Sequence, residues 1–252
     1  MGKVGRQAVL KVWPKLKKKY APDAVIANAE NLAHGDGATI KTLDEMREIG
    51  IDYFTSGNHI FKKNKEPEMW QRDDLIRPLN YPVRDEVPGK GFLKVKILGE
   101  RVWLVNLQGL VYMSEYLRSP FEVLDDFVGE HSGEIILVDF HAEATSEKVA
   151  LGLAFEEKVT AIFGTHTHIQ TADERILTGG AGYISDTGMC GPRNGVIGIE
   201  KDEIIRHFHT GLKFKNEPAD FPAQVAGVVI EIDPATKKTR KIKRIFEVVK
   251  NP

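Results

Sequence analysis

Cysteine is all but missing from this 252-residue sequence: Cys190 stands alone. No disulfide can form within it, which excludes the disulfide-stapled scaffolds of small secreted domains. Long hydrophobic runs are missing too, since no stretch approaches the roughly 20 apolar residues of a membrane span. The opening Met1 to Lys19 carries no apolar core of a signal peptide. These features predict a soluble protein of a reducing, cytoplasmic compartment. An excess of one charge is also lacking, because 35 Lys and Arg face 36 Asp and Glu for a net charge of -1. No global field therefore drives the protein onto nucleic acid or an anionic membrane. Low-complexity tracts, heptads and 20- to 50-residue repeats do not occur, which argues against solenoids, coiled coils and disordered tails.

What is present is a chain with 42% hydrophobic residues, enough to fill a core and to bury roughly 70 to 75% of its unfolded surface. A single domain over residues 1–252 is the expectation. Short β-branched runs alternate with segments of helical period, the pattern of an α/β fold. The runs predict strands at Ala24–Asn28, Tyr53–Ser56, Phe92–Ile97, Val102–Leu107, Ile135–Phe140, Ala161–Phe163, Gly182–Ser185, Val225–Ile232 and Lys241–Val248. The last two read as a hairpin. Helices are expected at Arg6–Tyr20, Ile40–Ile49, Pro67–Leu75, Pro120–Gly129 and Ser146–Lys158. In the first, Leu10, Trp13, Leu16 and Tyr20 share a face and Pro14 predicts a kink; the second is closed by Gly50, which supplies a left-handed stop.

Four of the eight histidines follow directly on predicted strands, at the places where open α/β folds put their ligand crevices. In Gly164-Thr165-His166-Thr167-His168, side chains two apart in an extended segment project to one side, so both imidazoles can face a pair of metal ions. In Ser56-Gly57-Asn58-His59, glycine lets the backbone bend where an amide oxygen and an imidazole are exposed together; a simple Asn turn is the bland alternative. Asp139-Phe140-His141-Ala142-Glu143 offers His141 as a ligand, with Asp139 or Glu143 to accept its second ring hydrogen or to cap the following helix. Asn28-Ala29-Glu30-Asn31 offers Glu30, the nearby carboxylate able to bridge two cations. Nitrogen and oxygen donors without cysteine suit Fe, Mn or Zn, and two such ions could clamp a phosphoryl group for in-line attack.

Other features have milder readings. His34-Gly35-Asp36-Gly37 can cradle a phosphate or form a tight turn. His131, His207 and His209 read as surface residues. Lys15 to Lys19 reads as a solvated helix face, with an RNA-phosphate patch as the weaker alternative. Cys190 reads as a packing residue.

Taken in order, Asn28-Ala29-Glu30-Asn31, Ser56-Gly57-Asn58-His59, Asp139-Phe140-His141-Ala142-Glu143-Ala144-Thr145-Ser146-Glu147-Lys148, Gly164-Thr165-His166-Thr167-His168 and Ser185-Asp186-Thr187-Gly188-Met189 resemble the YmdB-type branch of the calcineurin-like metallophosphoesterases. The resemblance runs over nearly the whole chain. It implies a four-layer αββα sandwich, a dinuclear metal centre and hydrolysis of 2′,3′- and 3′,5′-cyclic nucleotides. It further implies that Glu30 bridges the metals, that Asn58, His141 and His166 complete one site, and that His168 serves the other. His59 would be the general acid, Asn31 would steady the phosphate, and a homo-oligomer is expected. The family begins with an apolar strand ending in Gly-Asp, whose aspartate binds the metal beside His168. The sequence starts at Met1 just after that point, so the strand and its aspartate are missing from it and a native start upstream is expected.

The resemblance implies a metal-activated hydroxide as nucleophile, with His59 donating to the departing ribose oxygen. The competing readings are another phosphoesterase, such as a protein phosphatase or nuclease, and a nucleotide-binding regulatory protein whose incomplete centre senses without cleaving. An amidohydrolase is a poor fit, because its His-X-His pair belongs to the first strand of a barrel.

Overall fold

The computed structural model describes residues 1–63, 66–84, 86–213, 215 and 217–251. Its elements, in order, are α1 (Gly2–Tyr20), β1 (Ile26–Asn28), α2 (Ile40–Ile49), β2 (Tyr53–Thr55), β3 (Phe92–Ile97), β4 (Glu100–Gln108), α3 (Pro120–Glu130), β5 (Ile135–His141), α4 (Thr145–Phe155), β6 (Ala161–Thr165), β7 (Arg175–Ile176), β8 (Gly182–Ile184), β9 (Gly191–Pro192), α5 (Lys201–Thr210), β10 (Ala223–Asp233) and β11 (Lys238–Val249).

One layer is a six-stranded sheet in the order β3-β4-β5-β6-β8-β7. Its central strands β4, β5, β6 and β8 run parallel, while β3 and β7 add antiparallel edges. Strand β5, Ile-Ile-Leu-Val-Asp-Phe-His, is buried at every position, as a parallel strand covered on both faces must be. One face packs Val105, Leu107, Val138 and Phe140 against Leu124 and Phe127 of α3 and Leu151 and Phe155 of α4. The other packs Leu104, Ile135 and Leu137 against Ile26 of β1, Tyr53 of β2 and Ile230 and Ile232 of β10. This second layer consists of a β1-β2 pair and a β11-β10-β9 sheet that share no ladder among the described residues. Helix α2 covers the former through Leu43 and Met46, and α1 covers the latter. The result is the αββα sandwich.

Several boundaries differ from the sequence expectation. Helix α1 starts at Gly2 and carries Pro14 inside it; Pro14 is exposed. Its buried row is Gly5, Ala8, Val12 and Leu16, whereas Leu10 is 56% exposed. Small residues win that face because the chain beside the hairpin lies close: a side chain at Gly5 would collide with the Cys190 carbonyl. The helix expected at Pro67–Leu75 is only a 3₁₀ segment, Pro67–Gln71, after which Leu75 turns to bridge Phe54 of β2. Helix α5 and the short strands β7 and β9 lacked a readable period. The α2 expectation holds, with Thr39 and Thr42 forming a reciprocal cap and Gly50 closing the helix at φ 117°. His131 is half-buried and stacks on Trp103, with ring centroids 4.0 Å apart, so it lies at the surface with one face covered. The Pro- and Gly-containing stretch Asn80–Gly91 reads from sequence as a connecting link, and Asp85 within it lies outside the described residues.

Candidate metal centre and active site

The strands β1, β2, β5 and β6 deliver their carboxyl ends to one place. β1 pairs in parallel with β2, setting Asn28 beside Thr55, and β5 pairs in parallel with β6, setting His141 beside Thr165. The loops that leave these ends bring Glu30, Asn58, His141 and His166 together. His141 Nε2 lies 3.0 Å from Glu30 Oε2, 3.0 Å from Asn58 Oδ1 and 3.0 Å from His166 Nδ1. One donor atom from each of Glu30, His141 and His166 falls within 4.8 Å of the other two.

The outward-facing atoms are tied so that lone pairs aim inward. His141 Nδ1 is 2.9 Å from Thr165 Oγ1, and that hydroxyl donates at 2.7 Å to Asp139 Oδ1. A hydroxyl already donating to the carboxylate must accept from the ring, so Nδ1 carries the hydrogen and Nε2 is left to ligate. Asp139 thus acts on His141 through Thr165 and does not touch it. Its other oxygen accepts from Thr55 Oγ1 and Asn28 Nδ2. Glu143, the alternative partner, faces His166 instead, with Oε2 3.0 Å from Nε2. His166 therefore offers Nδ1 to the cluster.

Glu30 sits 2% exposed. Burial alone would raise its pKa, but the charge and hydrogen bond of His141 outweigh it and hold the carboxyl at about 2. Burial works against a proton on His141, yet the facing Glu30 carboxylate overcomes it and the pKa rises. His166 is pushed down to about 4, first by burial and then by the charge on His141. The contact between Glu30 Oε2 and His141 Nε2 is the position that a cation would take. Gly57 makes room for the cluster, because a Cβ there would overlap the Glu30 carboxylate and the His141 ring. Two imidazole nitrogens, a carboxylate and an amide oxygen converging on a space that a methyl group would fill fit a divalent transition-metal ion.

His168 stands beside this cluster, not in it. Its Nδ1 faces the Ile197 carbonyl at 3.2 Å and its Nε2 is 3.1 Å from Asn31 Nδ2. The extended His166-Thr167-His168 arrangement expected from sequence does not occur: β6 ends at Thr165, and His166 and His168 have φ of 105° and 66°. These left-handed conformations, costly for residues other than glycine, turn the two rings to different partners, His166 to His141 and His168 to Asn31. Lys148 and Asp186, which the sequence did not single out as site residues, hold the strained turn. Lys148 Nζ donates to the Thr165 carbonyl at 2.9 Å, and Asp186 Oδ2 accepts from Thr167 N at 3.0 Å and Thr167 Oγ1 at 2.9 Å.

Asn31 is fully engaged as well. Its Nδ2 donates to Glu30 Oε1 at 2.7 Å, and its Oδ1 is 3.0 Å from His59 Nδ1. His59 therefore borders the cluster, its backbone N donating to Glu30 Oε2 at 3.3 Å. All seven side chains singled out in the sequence, Glu30, Asn31, Asn58, His59, His141, His166 and His168, meet around one spot through these contacts.

A model of YmdB-like proteins matches residues 1–245. The chain belongs to the YmdB-like family. A 2′,3′-cyclic-nucleotide 2′-phosphodiesterase of Bacillus subtilis (strain 168) is 43% identical to this YmdB-like protein over 250 residues, 98% of this chain and 93% of that one. The crystal structure of a novel phosphatase from Mycoplasma pneumoniae superposes with a TM-score of 0.94 at 39% identity, covering 100% of this chain and 91% of that chain. A 5′-nucleotidase precursor of Thermus thermophilus covers 99% of this chain and 49% of its own at a TM-score of 0.53; at 14% identity the likeness is one of fold alone. The YmdB-like chain is a metallophosphoesterase in fold and enzyme class.

Proposed function

We propose that residues 1–252 form one metallophosphoesterase domain that hydrolyses cyclic nucleotides, 2′,3′-cyclic forms first and 3′,5′-cyclic forms as well. The observation that carries this reading is the convergence of Glu30 Oε2, Asn58 Oδ1 and His166 Nδ1 on His141 Nε2, each 3.0 Å away. The activity of the Bacillus subtilis relative supplies the substrate class. Two divalent ions, Fe or Mn ahead of Zn, would be held with Glu30 between them, Asn58, His141 and His166 on one side and His168 on the other. When bound they supply Lewis-acid neutralisation of phosphoryl charge and a water acidified toward neutral pH.

The protein's own groups do the rest. Thr165 and Asp139 keep His141 in the ligating tautomer, and Glu143 does the same for His166. Asn31, fixed between Glu30, His168 and His59, would exchange one of these contacts to steady the phosphate. His59 gives its Nε2 proton to the departing ribose oxygen as the phosphorus-oxygen bond breaks and the oxygen keeps the electron pair. The half-buried lone Cys190 fits a reducing cytoplasm, and a homo-oligomer is the assembly we favour. A basic RNA-binding role for Lys15 to Lys19 has less support, since Lys15 pairs with Glu247 at 2.7 Å.

The test is hydrolysis of 2′,3′- and 3′,5′-cyclic AMP by the metal-loaded protein, with metal content measured in parallel. His59→Ala should lose roughly 10²- to 10⁴-fold in turnover while retaining metal, and Glu30→Ala should lose the metal. No turnover of either nucleotide by the loaded wild type would overturn the reading.

A further inference from the structure

One edge of the His59 ring faces three oxygens, one of them at hydrogen-bond distance. Asn31 Oδ1 is 3.0 Å from Nδ1, and Glu30 Oε1 and Asp36 Oδ1 are each 3.6 Å away. The amide orientation of Asn31 is fixed, because its Nδ2 faces the Glu30 carboxylate, which only accepts. Its oxygen must then face His59, so Nδ1 is the donor and Nε2 is the edge left for substrate.

We infer that Asp36 is a positioning residue for the general acid: its carboxylate, facing Nδ1 at 3.6 Å, steadies the His59 ring electrostatically and so sets the direction in which Nε2 delivers its proton. The inference rests on the reading of His59 as proton donor. Glu30 and Asn31 are bonded to each other, and Asn31 to His168, so both belong to the metal cluster. Asp36 is the acceptor independent of it. Its Oδ1 is shielded from water and makes no hydrogen bond among the described residues. Lys62 Nζ lies 3.2 Å from that oxygen and holds the carboxylate in place beside the ring.

The local chain is built to place it. Ala33 N donates to the Gly37 carbonyl at 2.8 Å and Asp36 N to the Ala33 carbonyl at 3.1 Å, folding residues 33–37 into a tight loop. His34, Gly35 and Gly37 all take positive φ, at 56°, 80° and 80°. The loop read from sequence as a phosphate cradle or a simple turn thus carries Asp36 to the acid. During transfer the Nε2 proton goes to the leaving oxygen as its bond to phosphorus breaks, and Nδ1 keeps its hydrogen.

The experiment is a double-mutant cycle on the metal-loaded enzyme with wild type, Asp36→Asn, His59→Ala and the double variant. Two substrates are used: 2′,3′-cyclic AMP, whose alkoxide needs a proton to leave, and bis(p-nitrophenyl) phosphate, whose p-nitrophenolate does not. Metal content and melting temperature of each variant are measured alongside. Asp36→Asn should lower kcat on the cyclic nucleotide roughly 10- to 100-fold, the scale on which misorienting a reacting group acts. KM should change little, and the loss on the aryl ester should be much smaller. In the His59→Ala background the Asp36 change should cost nothing further. Asp36→Ala, which removes the acceptor outright, should behave as Asp36→Asn or worse on the same substrate. Multiplying losses in the double variant, or equal losses on both substrates, would overturn the inference while leaving the phosphodiesterase reading intact. An undiminished His59→Ala enzyme would instead remove the acid on which both depend.

Discussion

Lys148 Nζ lies 2.8 Å from Asp186 Oδ2, with the two side chains 3% and 2% exposed. The pair joins α4 to the turn after β8, and between them runs the backbone that presents His166 and His168. Breaking one partner of such a pair leaves a charge stranded in a low-dielectric interior, at a cost of about 3 to 5 kcal/mol. Lys148→Met should therefore lower the melting temperature strongly and weaken metal binding together, since the positive-φ turn at His166 and His168 loses its clamp. Calorimetry and metal titration of the same preparation check this. A destabilised protein with undiminished metal affinity would show that the pair serves the fold alone.

Gly57 separates those two effects. It lies at the Glu30–His141 contact, where a methyl group would intrude, so Gly57→Ala should empty the centre while the sheets and helices persist. Metal content with far-ultraviolet circular dichroism reads both. Full metal occupancy in this variant would mean that the donors do not converge as described.

The tautomer argument makes Thr165 a test of its own. Thr165→Val keeps the shape of the side chain but cuts the link from His141 Nδ1 to Asp139. Losing a partner that orients a metal-bound histidine costs about 10- to 100-fold in metal affinity, and that is the expected loss. Unchanged affinity by isothermal titration would contradict the assignment of Nδ1 as the hydrogen-bearing atom.

Metal binding should also respond to pH with a definite sign. Glu30, at about 2, and His166, at about 4, bring no proton to displace near neutrality. His141 does, because Glu30 raises its pKa. A cation must expel that proton, so affinity should climb as pH rises through the His141 pKa, by about 10-fold per unit for one proton, and then level off. Proton release measured in two buffers of different ionisation enthalpy should agree. Affinity that falls with rising pH would contradict the account.

How much of this was legible in the sequence follows from where the information lies. The apolar runs of β5 and β6 and the Ile40–Ile49 extent of α2 with its Gly50 stop depend on neighbours in the chain, and they were readable. So was the meeting of Glu30, Asn58, His141 and His166, since each lies at or just past the end of a strand and parallel strands bring their carboxyl ends to one edge. Not readable were features fixed by contacts distant in sequence. Thr165 looks like any strand threonine until β5 sets His141 beside it. Lys148 sits in a helix and Asp186 in a turn, 38 positions apart. Of the α1 face read from sequence, Leu16 is buried and Trp13 and Tyr20 pack beside it, but Leu10 is exposed, because the closeness of the neighbouring chain at Cys190 favours Gly5 and Ala8. The turn at His166 departs from extended geometry because Lys148 and Asp186 hold it, a constraint that no two-residue period records.

The central claim is that four side chains from separate strand ends share one cation. Anomalous diffraction from crystals soaked in Mn²⁺ tests it most directly. The account predicts a peak within about 2.0 to 2.4 Å of Glu30 Oε2, Asn58 Oδ1, His141 Nε2 and His166 Nδ1. A peak elsewhere on the protein, with none among those four atoms, would contradict it.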